Sequence, residues 1–280
     1  MSPQPTVVVT GASTGIGRTT VQHLADRDVR VVAAVRDLDT VVDHPLVTGV
    51  RLDVTEAEEA RAAASTVADL VGDTGLHGLF NNAGVAVGGP LEHVALDDLR
   101  RQLEVNVIGQ VAVTQAFLPL CVAAAAARAS CSRDRSPGWS ACRSSAPTPP
   151  RSTRCNGLAE SLRRELRPGG IGVSVLAPGT VSTPIWGKAE DDVDAAVGAL
   201  PPEGREHYGD AIAGLQKIVT EADDAGISAE VVAKAAHHAL FSRRPKAEYL
   251  VGTEAKTIAG ASAALPYRLF DRIVAQQMRG

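Results

Sequence analysis

The chain has 280 residues, of which 45% are hydrophobic, and its 28 basic and 32 acidic side chains give a formal net charge of −4. This length suffices for one large domain with a well-buried core, so no second domain is required. The small acidic charge and the lack of a long basic run exclude the class of strongly basic nucleic-acid-binding proteins and favour a protein that acts on small molecules.

The first residues, "MSPQPTVVVTG", have neither the basic nor the apolar region of a secretory leader. We therefore expect a cytoplasmic protein without a membrane span. The adjacent His237 and His238 point to different sides of a predicted helix, which favours surface or packing roles over metal binding.

Short β-branched runs alternate with alanine-rich stretches, a pattern typical of βαβ units and a parallel sheet. The nearly continuous apolar character of these runs suits strands that are covered on both faces. The predicted strands are 6–10, 30–35, 49–54, 76–80, 172–176 and 248–252. The predicted helices are 15–26, 55–71, about 97–119, 156–167 and 229–241, and Thr55 with Glu58 is predicted to form a capping box.

Residues 121–155 break this alternation. They contain all four cysteines (Cys121, Cys131, Cys142 and Cys155), at spacings that match neither a zinc site nor a disulfide framework. Pro147, Pro149 and Pro150 forbid a regular helix there. We therefore expect this segment to lack the strand and the half-helix that the alternation requires, and the sheet to lose a central strand and stability.

The stretch "VVVTGASTGIGRTT" places Gly11, Gly15 and Gly17 between the first predicted strand and the first predicted helix. Glycine lets the backbone turn tightly and approach a pyrophosphate, which then faces the positive end of the helix. The spacing Gly-x3-Gly-x-Gly is more distinctive than a lone glycine-rich turn.

Four further motifs follow in order: "LDVT" at 52–55, "NNAG" at 81–84, "VNVIG" at 105–109 and "APGTVSTPI" at 177–185. With these motifs the chain resembles the classical short-chain dehydrogenase/reductase family over about 1–120 and 156–260. It is closest in character to retinol-dehydrogenase-like and hydroxysteroid-dehydrogenase-like members. The resemblance implies an α/β fold, a Rossmann-like doubly wound parallel sheet in one domain. This domain would span 1–260, with a variable substrate lid at about 184–228 and a C-terminal extension at 261–280.

The resemblance also implies roles for single residues. Asp53 would accept a hydrogen bond from the adenine amino group, and Asn106 would hold a water of the proton relay. Pro178, Gly179 and Thr183 would meet the nicotinamide carboxamide. The cofactor-binding residues implied are Gly11, Ser13, Thr14, Gly15, Ile16, Gly17, Arg36, Asp53, Val54, Asn82, Ala83, Gly84, Pro178, Gly179 and Thr183. Structural alternatives stay open, since Asp53 could cap its own turn, Asn82 and Asn106 could bond backbone, and "APG" could be a plain turn.

The choice of cofactor follows from charge at the end of the second predicted strand. A site selective for NAD places a carboxylate there for the ribose hydroxyls, whereas NADP needs a cation for its 2′-phosphate. This strand ends with Val35 at the expected acid position and Arg36 after it, which favours NADP. NAD remains the alternative, with Arg36 as a solvated charge and Asp37 contacting the ribose.

The proton-transfer residues that the resemblance implies are missing. The family uses a Tyr as acid or base, a Lys four residues later that lowers the Tyr pKa, and a Ser thirteen residues earlier. These three positions fall at Thr148, Ser152 and Arg135. The only tyrosines, Tyr208, Tyr249 and Tyr267, lie too late in the chain and have no Lys at that spacing.

A second reading frame accounts for the gap. In this frame, each codon consists of the third base of one codon and the first two bases of the next, with third bases chosen as the genetic code permits. The codons of Pro147 and Thr148 can then contain a Tyr codon, and those of Arg151 and Ser152 can contain a Lys codon. The codons of Asp134 and Arg135 straddle a Ser codon. The alternate frame can encode SIAGLVGVPVVGAYAASKYAL and rejoins "NGLAESL" without a change in length. We hypothesise two compensating frame changes, near Leu120 and near Cys155; divergence to a non-catalytic protein is the alternative.

By family, the predicted function is reversible hydride transfer between NADP(H) and a secondary alcohol or a ketone or aldehyde. Ile185, Trp186 and Leu200 in the lid suggest a lipophilic substrate, although they could equally pack on the lid itself. Two other hypotheses are a catalytically dead nucleotide-binding module and a nonfunctional product. A homo-oligomer is possible but in doubt, because the family often assembles through the helices that flank 121–155.

Overall fold

The computed structural model describes residues 4–87, 90–123, 128–132, 154–183, 198, 200–209, 212–213 and 226–277. A seven-stranded parallel sheet runs through its centre in the order β3-β2-β1-β4-β5-β6-β9. Its strands are β1 (Thr6–Thr10), β2 (Arg30–Val35), β3 (Val47–Arg51), β4 (Gly78–Asn81), β5 (Arg128–Ser132), β6 (Gly172–Pro178) and β9 (Glu248–Val251). A separate two-stranded pair joins β7 (Val181–Ser182) to β8 (Ile227–Ser228). The predicted doubly wound α/β fold is confirmed.

Helices cover both faces of the sheet. They are α1 (Gly15–Ala25), α2 (Ala57–Val71), α3 (Leu96–Leu103), α4 (Gln110–Ala123), α5 (Arg154–Leu166), α6 (Ala229–Phe241), α7 (Thr253–Ala264) and α8 (Tyr267–Gln277). Helices α2, α4 and α5 share one buried apolar cluster with Val8, whereas α1 and α6 share the other with Val7 and Val9. Alternate residues of β1 therefore enter opposite layers, which explains the continuous apolar runs of the sequence.

The order of the strands reverses between β1 and β4, since the chain runs β1 to β3 in one direction and continues from β4 in the other. In open parallel sheets the ligand crevice opens at such a reversal, beyond the carboxyl ends of the strands. The loops that follow β1, β2, β3, β4 and β6 therefore define where the site must be sought.

The predicted absence of a strand between 121 and 155 is wrong. Residues 128–132 form β5, and Ala129 pairs in parallel register with Leu79 of β4 and Val173 of β6. Strand pairing depends on backbone N–H and C=O groups, so two facing strand edges can be satisfied by a segment that lacks β-branched side chains. The sheet is continuous, and α5 begins at Arg154, close to its predicted start.

The predicted capping box of Thr55 and Glu58 is also wrong. Helix α2 begins at Ala57 with Glu56 as its N-cap residue, and no side chain caps it. The Thr55 hydroxyl instead donates to Asp53 Oδ1 over 2.8 Å, and Glu58 pairs with Arg61. The local preference of Thr55 for a cap is overridden because Asp53 offers a charged acceptor two residues away.

One helical stretch bears on the expectation of no membrane span. Among the described residues, Leu96–Cys121 is long and apolar enough to cross a membrane by length and composition alone. Core helices meet the same criterion, and Val113, Phe117 and Cys121 of this stretch are buried in the apolar cluster beside the sheet. Burial raises the pKa of the Cys121 thiol to about 12, so this cysteine stays protonated and unreactive.

A stack of aromatic rings lies between α1 and α6. The His237 ring packs edge-on against the buried His23 ring, with 5.7 Å between the ring centroids. It also stacks on the Phe241 ring, with 5.0 Å between the centroids. Burial lowers the pKa of His237 below its ordinary value of 6.5, and electrostatic interactions with His23, Arg27 and His238 lower it further. The folded protein therefore favours neutral His237.

We expect the free energy of unfolding to fall as the pH is lowered from about 7.5 to about 5.5, because His237 takes up its proton more readily in the unfolded state. Stability present above the ordinary pKa of His237 is thus lost as the pH falls below it. Urea titrations at both pH values should show a smaller loss for His237→Gln than for the unmodified chain. The exposed His207 provides the control, and a pH effect that His237→Gln leaves unchanged would contradict this assignment.

Candidate functional site

The glycine-rich turn is held close to the end of β4. Gly11 has a φ of +62°, and a Cβ atom there would lie 2.8 Å from Ala83 Cα. A Cβ atom on Gly17 would lie 2.2 Å from the carbonyl oxygen of Gly11 and 2.6 Å from Asn82 Nδ2. The backbone therefore forms a concave turn that only glycine permits, as a pyrophosphate cradle requires.

Asn82 fastens the end of β4 to this turn. Its Nδ2 donates to the carbonyl oxygens of Thr10 at 3.1 Å and Gly11 at 3.2 Å. In return, Thr10 Oγ1 accepts hydrogen bonds from the backbone N–H groups of Asn82 and Ala83. Asn82 thus bonds backbone, as the structural alternative held, and it shapes the cradle through those bonds.

The N-terminal end of α1 faces the cradle. No acidic residue occupies its first turn, and the N-cap residue Thr14 makes no side-chain capping bond. The first backbone N–H groups of a helix have no intrahelical partners and carry the positive end of the helix dipole. Ser13, Thr14 and Ile16 are at least partly accessible here, so this end of α1 suits a phosphate group.

The predicted adenine-side residue Asp53 lies in the loop after β3. Its Oδ1 accepts hydrogen bonds from Thr55 N at 3.0 Å and from Thr55 Oγ1 at 2.8 Å, so it caps its own turn. Burial alone would raise the Asp53 pKa, but these hydrogen bonds and the positive charges of Arg36 and Arg101 outweigh burial and hold it below its ordinary value. Asp53 is therefore an anionic acceptor whose charge is favoured by two cations.

Arg36 and Asp37, at the end of β2, differ in their hydrogen bonding. Val35 is buried and Arg36 is exposed at the carboxyl end of the strand. Asp37 Oδ1 accepts from Asp39 N at 3.1 Å and so caps the short turn that follows. The carboxylate is thus engaged in its own loop, while the guanidinium faces solvent beside Asp53.

Asn106 lies in a π-helical turn, Glu104–Gly109, between α3 and α4. Its Nδ2 donates to the carbonyl oxygen of Val85 and its Oδ1 accepts from Val85 N, both at 2.8 Å. Asn106 is 2% exposed, and a Cβ atom on Gly84 would lie 3.4 Å from its Oδ1. Such turns are frequent at functional sites. Here the turn brings Asn106 to the loop after β4, where it bonds backbone.

The loop after β6 completes the crevice. Gly179 N donates to the carbonyl oxygen of Val251 at 2.7 Å. Thr183 is buried, and a Cβ atom on Gly15 would lie 3.2 Å from Thr183 Cβ. The predicted phosphate turn and the predicted nicotinamide loop are therefore in contact.

Glu254, in the first turn of α7, is a site residue that the sequence motifs do not predict. Its Oε2 accepts a hydrogen bond from Thr180 N over 2.7 Å. No local pattern marks this residue, because an acidic residue in a first helical turn is common. Only the pairing of β6 with β9 brings it to the loop.

The family positions Arg135, Thr148 and Ser152 lie outside the described residues. The three tyrosines do not replace a catalytic Tyr. Tyr249 OH accepts from Lys246 N at 3.0 Å and lies 2.7 Å from His238 Nδ1, and Tyr267 is 71% exposed. Tyr208 OH donates to Glu92 Oε2, and this hydrogen bond raises the Tyr208 pKa, opposite to what a proton-transfer Tyr needs.

Of the three apolar residues predicted in the substrate lid, one lies within the described residues and two lie outside them. Leu200 is 3% exposed, which agrees with packing inside the protein, whereas Ile185 and Trp186 lie outside the described residues. The described part of the lid meets the loop after β4 through the Tyr208–Glu92 hydrogen bond and a close approach of Gly204 to His93.

Comparisons with known proteins agree with this geometry. The profile of the short chain dehydrogenase family matches residues 5–129. An NADPH-dependent 3-dehydrocapnine reductase of Ornithobacterium rhinotracheale is 31% identical, over 97% of this chain and 96% of that protein. Retinol dehydrogenase 5 of Homo sapiens is 32% identical, over 96% of this chain and 87% of that protein. A short chain dehydrogenase/reductase of Burkholderia phymatum, solved in complex with NAD, superposes with a TM-score of 0.72 at 25% identity, over 96% of this chain and 95% of that chain.

Proposed function

The chain belongs to the short-chain dehydrogenase/reductase family, and we propose that it binds NADP(H) in preference to NAD(H). By family it is an oxidoreductase for alcohol or carbonyl substrates that uses a nicotinamide cofactor. When bound, that cofactor supplies the hydride that is exchanged with the substrate carbon.

The observation that carries the proposal is the charge at the end of β2. Arg36 is exposed there, Val35 occupies the position of the acid, and Asp37 is engaged in its own turn. A guanidinium binds a phosphate with charge-assisted hydrogen bonds, whereas a ribose hydroxyl needs a carboxylate. The name of the NADPH-dependent bacterial relative supports the same choice.

We expect Arg36→Ser to weaken NADPH binding by about 10- to 100-fold and to leave NADH binding nearly unchanged, because one charge-assisted contact to the 2′-phosphate is lost. Calorimetric titration of both nucleotides measures the effect. Arg30→Ser, at the opposite end of β2, is the matched control. Tighter binding of NADH than of NADPH by the unmodified chain would contradict the proposal.

The remaining residues shape and orient the site. Asn106 holds the loop after β4 by its two hydrogen bonds to Val85, and the loop from Gly179 to Thr183 closes the crevice against Gly15. We propose a lipophilic alcohol or carbonyl substrate, from the apolar residues Ile185 and Trp186 of the lid, and a cytoplasmic protein without a membrane span.

We further propose that the chain as written binds its cofactor without turning over substrate. The family positions of Ser, Tyr and Lys hold Arg135, Thr148 and Ser152, none of which can replace the missing acid and its cation. The family profile ends at residue 129, within the altered segment 121–155.

A further inference from the structure

We infer that Glu254 is a positioning residue for the nicotinamide half of the cofactor site. The inference rests on the proposed binding of NADP(H). Glu254 lies outside every motif that identifies the family in this sequence, and it acts through the loop Gly179–Thr183 rather than by contact with the cofactor.

The contact between Glu254 and this loop is close and directional. Glu254 Oε2 accepts from Thr180 N at 2.7 Å, and a Cβ atom on Gly179 would lie 3.0 Å from the same oxygen. A carboxylate that accepts a backbone N–H forms a charge-assisted hydrogen bond. Because Glu254 is in the first turn of α7, the positive end of that helix also favours its negative charge.

Backbone hydrogen bonds hold the rest of the loop. Gly179 N donates to the carbonyl oxygen of Val251, and Ile227 N donates to the carbonyl oxygen of Thr180 over 2.8 Å. Val181 then pairs with Ile227. Glu254 therefore adds to this set an acceptor for the N–H group of Thr180.

The position of Thr183 depends on this loop. Thr183 is buried against Gly15 at the phosphate end of the crevice, so the loop must turn from the end of β6 onto the start of α1. Glu254 itself is exposed, and an exposed hydrogen bond contributes little to global stability. Loss of the carboxylate should therefore loosen the loop without unfolding the protein.

The test separates the two halves of the cofactor. NADPH spans the whole crevice, whereas adenosine 2′,5′-bisphosphate carries only the adenosine half with its 2′-phosphate. We expect Glu254→Ala to weaken NADPH binding by about 3- to 10-fold and to leave binding of the bisphosphate unchanged. Glu254→Gln keeps an acceptor oxygen and should lie between Glu254→Ala and the unmodified chain. Glu58→Ala removes an exposed carboxylate from the first turn of α2 and is the matched control.

Each outcome decides between the alternatives. Equal weakening of both ligands, or a large drop in melting temperature with Glu254→Ala, would indicate a general structural role and overturn the inference. NADPH binding that Glu254→Ala leaves unchanged would also overturn it while leaving the proposed function intact. If the unmodified chain binds neither the bisphosphate nor NADPH, the proposed function fails together with the inference.

Discussion

Replacement of residues 121–155 by the product of the alternate frame, which reads SIAGLVGVPVVGAYAASKYAL at 135–155, is expected to convert a chain that we propose lacks turnover into an active NADPH-dependent reductase. The replacement places Ser, Tyr and Lys at the family positions now held by Arg135, Thr148 and Ser152. A positioned acid with a tuned pKa contributes about 100- to 10,000-fold to such a reaction. We therefore expect a gain of at least about 100-fold in NADPH oxidation with a panel of apolar ketones and aldehydes.

The control for this result is the same replacement with Phe instead of Tyr at position 148 (Thr148→Phe). Phe keeps the aromatic ring and removes the hydroxyl proton. The control should bind NADPH as the active chain does and show almost no turnover. Comparable turnover by the unmodified chain would contradict the proposed loss of catalysis. Sequencing of the coding DNA across codons 115–160 tests the two frame changes independently, since an unbroken single frame would favour divergence.

The second large effect is expected for Gly17→Ala, which should weaken NADPH binding by at least about 100-fold and lower the free energy of unfolding by about 2–4 kcal/mol. The added Cβ atom would lie 2.2 Å from the Gly11 carbonyl oxygen and 2.6 Å from Asn82 Nδ2. Because the first of these atoms belongs to the backbone, the cradle itself must move. Calorimetric titration and urea denaturation measure the two effects.

Gly260→Ala provides the matched control, because Gly260 lies within α7 and a Cβ atom there meets nothing within 4 Å. Alanine favours a helix over glycine by about 1 kcal/mol, so this variant should bind normally and be as stable or slightly more stable. Normal NADPH binding by Gly17→Ala would show that the turn is not the phosphate cradle.

Sequence patterns predicted the features that depend on local chemistry. Strands β1 and β2 have the predicted bounds, because their apolar runs are buried on both faces. The glycines of the first turn could be read directly, since no other residue fits there. Strand β3 ends at Arg51 rather than at 54, because the chain turns at Asp53, whose Oδ1 accepts a hydrogen bond from Thr55 N.

Features set by distant parts of the chain were not predictable. Strand β5 has no strand-like composition, and its place depends on the edges that β4 and β6 present to it. The bond from Thr180 to Glu254 joins residues 74 positions apart. Asn82, Asn106 and Asp53 were predicted as site residues, but only the coordinates show that each of them also bonds its own surroundings.

The π-helical turn at Glu104–Gly109 determines in which direction around the helix axis the side chains of α4 point relative to those of α3. The buried residues Val113, Phe117 and Cys121 recur every four positions and form the stripe of α4 that faces the sheet. A residue added or lost between Asn106 and Val113 would rotate this stripe by about 100° and carry it away from the sheet while Asn106 stayed at Val85. The length of this segment is therefore more tightly constrained than its sequence, and insertions or deletions should be tolerated here far less readily than substitutions.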